Sequence, residues 1–393
     1  MGGAVYRLNI GLASKEFRIV ALAPDHATAR RYERLGEIDV RRFVYFLPRR
    51  FERLAYDGGI LPNLKRGRVL WIQVPLLFVA FLLAALRLSL TRIHAVHSYW
   101  IIPSGIVGAV LHRFRRIPHV ITCLGGDVGV LRGSRWGKLV LMFVLRNADE
   151  IVCVSSNLLK HLLEEVPAEL RYALLPKSHV IPMGIDVSRY DFPRRNLTEN
   201  SSRKSTILFL GRLVEKKGIP TLLSAMRDVR LQFQDCRLMI CGGGPMRAEL
   251  ESAVDRLGIR DNVFFTGPVS DEEKGALLAK ADILVVPSES TEYGDIEGLP
   301  VVILEGLAAG KPVVASNVGG VSDAIVSGFN GILVSEKRPD QLAQAIVSLL
   351  GDVDVRSRLS KQARSTASMF DWDAIIESYY QVLMMAIQGN QKY

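Results

Sequence analysis

Cysteine is scarce in this 393-residue chain: Cys123, Cys153, Cys236 and Cys241 form no Cys-x-x-Cys and have no histidine at zinc-ligand spacing. That excludes a disulfide scaffold and a zinc module, and the four are expected to be buried thiols in a reducing cytoplasm. The opening MGGAVYRLNIG has no positive stretch followed by an apolar core, so no secretory signal is read. Tyr6 stands where N-myristoylation needs Ser or Thr. No Gly-x-Gly-x-x-Gly follows the first apolar strand with an acid about twenty positions on, which argues against a dinucleotide-dependent oxidoreductase or epimerase. No Asp-x-Asp metal motif is read, and no His/carboxylate cluster suggests one. Basic residues are not interleaved with aromatics, and no helix-turn-helix or zinc knuckle is visible, so nucleic acid is not an expected partner.

What is present is an ordinary globular composition, 49% hydrophobic and 23% charged, of a length that suits two domains. The net charge of +10 is uneven. Residues 1–180 hold 26 Lys and Arg against 13 Asp and Glu, and residues 181–393 hold 24 against 27, so the halves carry +13 and −3. A basic front half implies an anionic partner, with phosphate-bearing lipid or a membrane surface preferred. Arg41-Arg42, Arg49-Arg50, Arg53, Lys65, Arg66 and Arg68 precede the apolar run VLWIQVPLLFVAFLLAAL, residues 69–86. Three readings stay open for that run: a short transmembrane helix weakened by Pro75, a buried helix, or a helix with one face dipping into the cytoplasmic leaflet.

The stretch Glu297 to Gly320, EGLPVVILEGLAAGKPVVASNVGG, organises the chain. Pro300 suits the first turn of a helix, predicted to begin near Leu299, with Val301, Leu304 and Leu307 at helical spacing and Gly310 before Lys311-Pro312 as its stop. Residues 312–316 read as a buried strand. Gly319-Gly320 then place bare amides at the start of a further helix, a setting for an anion. Glu297 precedes the helix and Glu305 lies about 7 Å along it from Pro300, so the two carboxylates are expected on one ligand-facing edge. Their spread suits hydrogen bonds to the two ends of a ligand better than a hydrolytic pair about 5 to 9 Å apart across one bond.

A second centre is STILFLGRLVEKKGIPTLLSAM, residues 205–226. A buried strand delivers Arg212 and Lys217 to a strand–helix junction, where two cations suit a diphosphate. LMICGGGPMRAELE, residues 238–251, adds a strand, Gly242-Gly243-Gly244 and a helix expected from Pro245. NVFFTG, ADILVVPS and GILV supply strands at 262–267, 281–288 and 331–334, and their alternation with helices means a parallel sheet. In the front half, residues 2–14 read as a helix entered through Gly2-Gly3. FRIVALAP, TRIHAVHSYW, HVITCLGGDV and DEIVCVSS each contain a strand. His97 is open between a functional role and a satisfied strand-end histidine, and Asp127 between an acceptor contact and a turn cap. Residues 191–205 form a polar linker, 291–298 an acidic loop, and the chain closes with a helix near 372–388.

These motifs resemble the family-four retaining glycosyltransferases, the glycosyl transferase group 1 proteins of GT-B type. The match rests on both glutamates, the Gly-x-Pro and the trailing Gly-Gly, and on Gly211, Arg212, Lys217 and Gly218. The resemblance implies an α/β fold of two facing Rossmann-like domains with parallel sheets and a cleft between them. It divides the chain into an acceptor-side domain (1–190), a nucleotide-sugar domain (191–370) and a helix crossing back (371–393). It implies transfer of a hexosyl group from a UDP- or GDP-linked donor, with retention and without a metal or cofactor. The acceptor is a glycan or lipid-linked molecule, in exopolysaccharide, lipopolysaccharide or cell-envelope glycan synthesis, and the expected location is cytoplasmic, peripheral on the inner membrane.

By the same resemblance Glu297, Arg212 and Lys217 are catalytic, with Glu297 on the sugar. Glu305 meets the ribose, and Gly211, Gly243, Gly298, Leu299, Pro300 and Val301 line the donor. Gly2, Gly3, His97 and Asp127 fall on the acceptor side. The family's first strand, which precedes the Gly-Gly, is not seen, Tyr99 replaces its second histidine, and Leu124 stands where it has His, so no role is carried to position 124. A catalytically weak nucleotide-sugar binder is the rival expectation.

Overall fold

The strand Thr206–Leu210 (β8) shows why the second half of the chain folds as it does. Its residues alternate between two cores: Ile207 and Phe209 join one cluster, Leu208 and Leu210 another. Ile283–Val286 (β11) and Val313–Ser316 (β12) divide in the same way and are buried at every position. A strand covered on both faces reads as a continuous apolar run, the mark of a parallel sheet. A one-residue slip would exchange the two sets, so the register is firmly held.

The computed structural model describes residues 3–56, 60, 63–64, 68–125, 131, 134–191, 204–290 and 298–390. It divides into two units. The second, Cys153–Leu162 with Val180–Ile375, contains a six-stranded sheet with Arg237–Cys241 (β9), Val263–Gly267 (β10) and Gly331–Val334 (β13). The order is β10-β9-β8-β11-β12-β13, and every neighbouring pair is parallel. The helices Ile219–Gln232 and Pro339–Gly351 cover one face through Leu222, Met226, Ile346 and Leu349, and Val301–Ala308 covers the other through Ile303, Leu304 and Leu307. Burying each such side chain contributes about 1.5–3 kcal/mol. The chain winds outward from β8 through β9 to β10 and then resumes on the other side at β11. The strand order therefore reverses between β8 and β11, where open α/β sheets bind ligands at their carboxyl ends.

The first unit comprises Met1–Val152, Leu163–His179 and Ile376–Tyr393. Its strands fall into two sheets. Ile19–Pro24 (β1), Tyr32–Leu35 (β2) and Ile38–Phe43 (β3) form one in the order β1-β3-β2, and Val96–Tyr99 (β4), His119–Cys123 (β5), Glu150–Cys153 (β6) and Ser178–Val180 (β7) form the other. Among the described residues no strand joins β1 to β4. The helix Gly3–Ala13 packs on the last helix, Trp372–Asn390, with Lys15 Nζ 2.7 Å from Glu377 Oε2. Four free cysteines are buried, and burial pushes the Cys236 thiol up to about 11.

Several expected boundaries move. The helix expected from Leu299 begins at Val301 with Pro300 as its N-cap, because Pro300 keeps an extended ψ of 121°. The helix after the glycine triplet starts at Arg247, two residues beyond Pro245. Gly319-Gly320 lead only into a three-residue 3-10 turn, Val321–Asp323, not a helix. The run at 69–86 becomes the helix Gln73–Leu88, of which only Gln73, Leu77 and Ala85 are buried, so it is not a buried core helix. The linker at 192–203 and the acidic loop at 291–297 lie outside the described residues.

Candidate donor site

At the strand-order reversal, the carboxyl end of β8 continues into Gly211 and Arg212. Gly211 N–H donates to Cys241 O at 3.0 Å and Leu213 N–H to Gly243 O at 2.9 Å, so the loops after β8 and β9 are laced backbone to backbone. That closeness is why glycine is required at 242: a Cβ there would lie 1.8 Å from Gly211 O, at a φ of +149°. Gly244 is nearly as tight, its Cβ falling 2.3 Å from Leu213 O. Gly243 is freer, meeting only Pro268 Cγ at 3.1 Å.

Lys217 ends the 3-10 turn Glu215–Lys217 and is buried, its Cε 3.6 Å from where a Gly211 Cβ would stand. Gly218 follows at φ +62°, and only glycine fits there because a Cβ would meet Pro287 O at 1.8 Å. Glu289 N–H donates to Lys216 O at 2.9 Å, so the loop after β11 holds the lysine turn from the other side of the reversal. Arg212 is exposed, with no acidic partner among the described residues. The arrangement presents one buried and one exposed cation beside a glycine-lined backbone, which suits a polyanion such as a diphosphate.

The segment Gly298–Val301 enters the same unit. Gly320 N–H donates to Gly298 O at 3.1 Å, which ties the two glycine turns together. Gly298 and Leu299 are half-buried, Pro300 is buried and Val301 is exposed. The apolar register expected of Val301 is thus wrong: it faces solvent at the helix entrance, while Leu304 and Leu307 face the core. The first amides of the helix have no intrahelical acceptor.

Glu305 does not lie on an open edge. It is buried, and its Oε1 accepts from Lys274 Nζ at 2.5 Å. Burial pulls the Lys274 ammonium down, but its bonds to Glu305 and Asp271 outweigh that and leave its pKa raised. Tyr190 also bonds Glu305, and burial together with that carboxylate raises the tyrosine pKa. Neither partner was foreseen. Lys274 is the fourth residue of the polar helix Asp271–Lys280, 31 positions before Glu305 in sequence, and no local pattern joins them.

Comparison with known proteins decides the family. Residues 2–189 match the family model for Glycosyltransferase Family 4 and residues 194–366 that for Glycosyl transferases group 1. An uncharacterized glycosyltransferase of Methanocaldococcus jannaschii is 32% identical over 72% of this chain and 73% of its own length. The chain belongs to the group 1 glycosyltransferases. The fold of this glycosyltransferase is the GT-B type. The sucrose-phosphate synthase of Thermosynechococcus elongatus superposes with a TM-score of 0.72 at 24% identity, over 98% of this chain and 93% of the other. Anabaena Alr3699/HepE, solved in complex with UDP-glucose, superposes with a TM-score of 0.66 at 19% identity, over 98% and 96%.

In this glycosyltransferase the expected site residues separate by unit. Arg212, Lys217, Glu305, Gly211, Gly243, Gly298, Leu299, Pro300 and Val301 belong to the second. His97 belongs to the first, on β4, where its Nε2 bonds Thr122 Oγ1 at 2.8 Å and its ring lies 4.3 Å from Tyr99. Its Nδ1 is buried without a partner, and burial pulls its pKa down to about 3. Gly3 starts the first helix. Glu297, Gly2 and Asp127 lie outside the described residues.

Two Asp-x-Asp triplets do occur, and both open helices. Asp352 caps Val353–Ala367 by accepting from Val355 N–H at 2.9 Å, and Asp371 accepts from Asp373 N–H at 3.1 Å and Val187 N–H at 3.2 Å.

Proposed function

We propose that this glycosyltransferase moves a hexosyl group, with retention and without a metal, from a UDP- or GDP-linked donor held by the second unit. The observation that carries the reading is Lys217, buried against Gly211 beside Arg212 where the strand order reverses. A solved relative of the same fold binds UDP-glucose, which supports a nucleotide-sugar donor.

In this mechanism an acceptor hydroxyl oxygen bonds to the anomeric carbon as the bond from that carbon to the diphosphate oxygen breaks, on the same face of the sugar. The acceptor proton passes to the departing diphosphate oxygen. Arg212 and Lys217 neutralise the charge that develops there, the part a metal plays in other transferases. Glu305, oriented by Lys274 and Tyr190, takes the ribose hydroxyls, and Glu297 takes the sugar. Arg212, exposed and without an acidic partner among the described residues, reaches the diphosphate from the solvent side. The acceptor is a glycan or lipid-linked molecule met at the cytoplasmic face of the inner membrane in cell-envelope glycan synthesis.

The test is incubation of the purified chain with UDP-glucose, UDP-GlcNAc, UDP-galactose and GDP-mannose, following binding and nucleotide release with and without membrane lipid extract. Lipid-dependent release from one donor is expected, and Lys217→Ala lowers its turnover by about two to three orders of magnitude. Binding without release would contradict the transfer reading, and no binding to any donor would overturn the site itself.

A further inference from the structure

The helix Gln73–Leu88 is apolar on both faces and covered on one. Gln73, Leu77 and Ala85 are buried, with Val74, Ala80, Phe81 and Ala84 packed beside them. On the other side Ile72, Leu76, Val79 and Leu83 recur every three or four residues and are 42% to 63% exposed. Trp71 extends this stripe at one end and Leu90 at the other, both exposed. A helix apolar all round is stable in water only when its second face is also covered.

Charge identifies what covers it. From residue 58 to residue 126 the sequence has no Asp or Glu and eight Lys and Arg. Beyond the helix end, Leu90 lines an open pocket of about 340 Å³ with Ser89, Thr91, Arg92, Arg115 and Ile117. Arg115 Nε donates to Ser89 Oγ at 3.3 Å, and neither arginine has an acidic partner among the described residues. The Ser89 and Thr91 hydroxyls donate to Leu86 O and Leu88 O, each at 2.7 Å, so it is the two guanidinium groups at the pocket that suit a phosphate. The apolar stripe running from its rim suits acyl chains.

We propose that the outward face of Gln73–Leu88 lies in the surface of an anionic phospholipid bilayer, with a headgroup phosphate seated between Arg92 and Arg115. This names the membrane partner of the first unit and does not rest on the donor chemistry. The helix lies on the bilayer and does not span it. With the turn before it the apolar segment Leu70–Leu88 has 19 residues, enough by length and composition to cross a membrane, so what argues against spanning is that one face is not available to lipid. Its covered face is engaged within the protein, where Phe43 and Phe81 stack at 4.8 Å. A second copy of this chain is a poorer occupant, because a two-fold contact would bring the same acid-free surface against itself.

The experiment is flotation of the full chain, without any nucleotide-sugar, on vesicles of pure phosphatidylcholine and of equimolar phosphatidylcholine and phosphatidylglycerol. Wild type is expected to float with the anionic vesicles and to be released as ionic strength rises. Arg92→Ala with Arg115→Ala is expected to weaken that binding about thirtyfold, the scale of two cations at an anionic surface. Leu76→Asp with Leu83→Asp is expected to weaken it by at least about tenfold. All four side chains are exposed or line an open pocket, and far-UV circular dichroism checks the fold; Val79→Ser with Leu83→Ser repeats the test with a milder change. Failure of wild type to bind anionic vesicles would overturn the proposal, as would unchanged binding by both double variants. A dimer in solution that Leu76→Asp with Leu83→Asp dissolves would assign the stripe to a second copy instead.

Discussion

Lys274 Nζ lies 2.5 Å from Glu305 Oε1, joining two helices of the second unit through a carboxylate whose side chain keeps only 9% of its exposure. Lys274→Met would leave that carboxylate buried and without its cation. Stability is expected to fall by about 1–3 kcal/mol, less than for a fully buried pair because the lysine keeps some exposure. Glu305→Gln in the same chain should recover part of the loss, since a neutral amide costs less to bury. Urea unfolding of the two single variants and the double variant measures the coupling. Equal stability of Lys274→Met and wild type would show that the pair has no net value.

The two neighbouring glycines of the β9 loop separate fold from ligand contact. Gly242→Ala forces a Cβ to within 1.8 Å of Gly211 O at a φ of +149°. It is expected to cost at least about 2 kcal/mol or to prevent folding. Gly243→Ala meets only a proline ring at 3.1 Å. It is expected to cost less than about 1 kcal/mol while weakening nucleotide binding. Thermal unfolding of both, followed by nucleotide titration of Gly243→Ala, checks this, and a reversed order of stabilities would contradict the backbone lacing.

Acid should destabilise the first unit through His119. The side chain is fully buried, and burial holds its pKa at about 4, below the usual histidine range, with Nε2 3.1 Å from Ser98 Oγ. Because the folded pKa lies below that of the unfolded chain, the unfolded state binds more protons between those values. Stability is therefore full above the unfolded pKa, about 6.5, and is lost as pH falls toward 4, by up to about 1.4 kcal/mol per pH unit. His97 acts in the same direction, whereas His112, raised by its bond to Asp149, acts in the opposite one. Urea unfolding at pH 7 and pH 5 should show a smaller loss for His119→Asn than for wild type, and an unchanged pH dependence would contradict the assignment.

The sequence made the parallel sheet of the second unit legible because its strands are buried on both faces and so appear as unbroken apolar runs such as ILVV and VVAS. Two of the glycines at the strand ends were legible for a related reason: positions 218 and 242 are restricted by backbone approach, which limits the residue type itself. Pairings across the fold were not legible. Arg49 looked like one of a basic surface run, yet it holds the buried Asp25 carboxylate with Nη2 2.8 Å from Oδ1, and Arg42 is bonded to Glu33. Nor does an apolar run such as residues 69–86 declare which of its two faces is covered, because composition is the same on both.

The central claim is that Arg212 and Lys217 hold the donor diphosphate. Its most direct measurement is calorimetric titration of UDP and GDP into wild type, Arg212→Ala and Lys217→Ala, with circular dichroism confirming that each variant is folded. One nucleotide is predicted to bind wild type, and each substitution to weaken it about ten- to a hundredfold, the scale of one charge-assisted hydrogen bond. Equal affinity in all three proteins, or no binding of either nucleotide to wild type, would contradict the account.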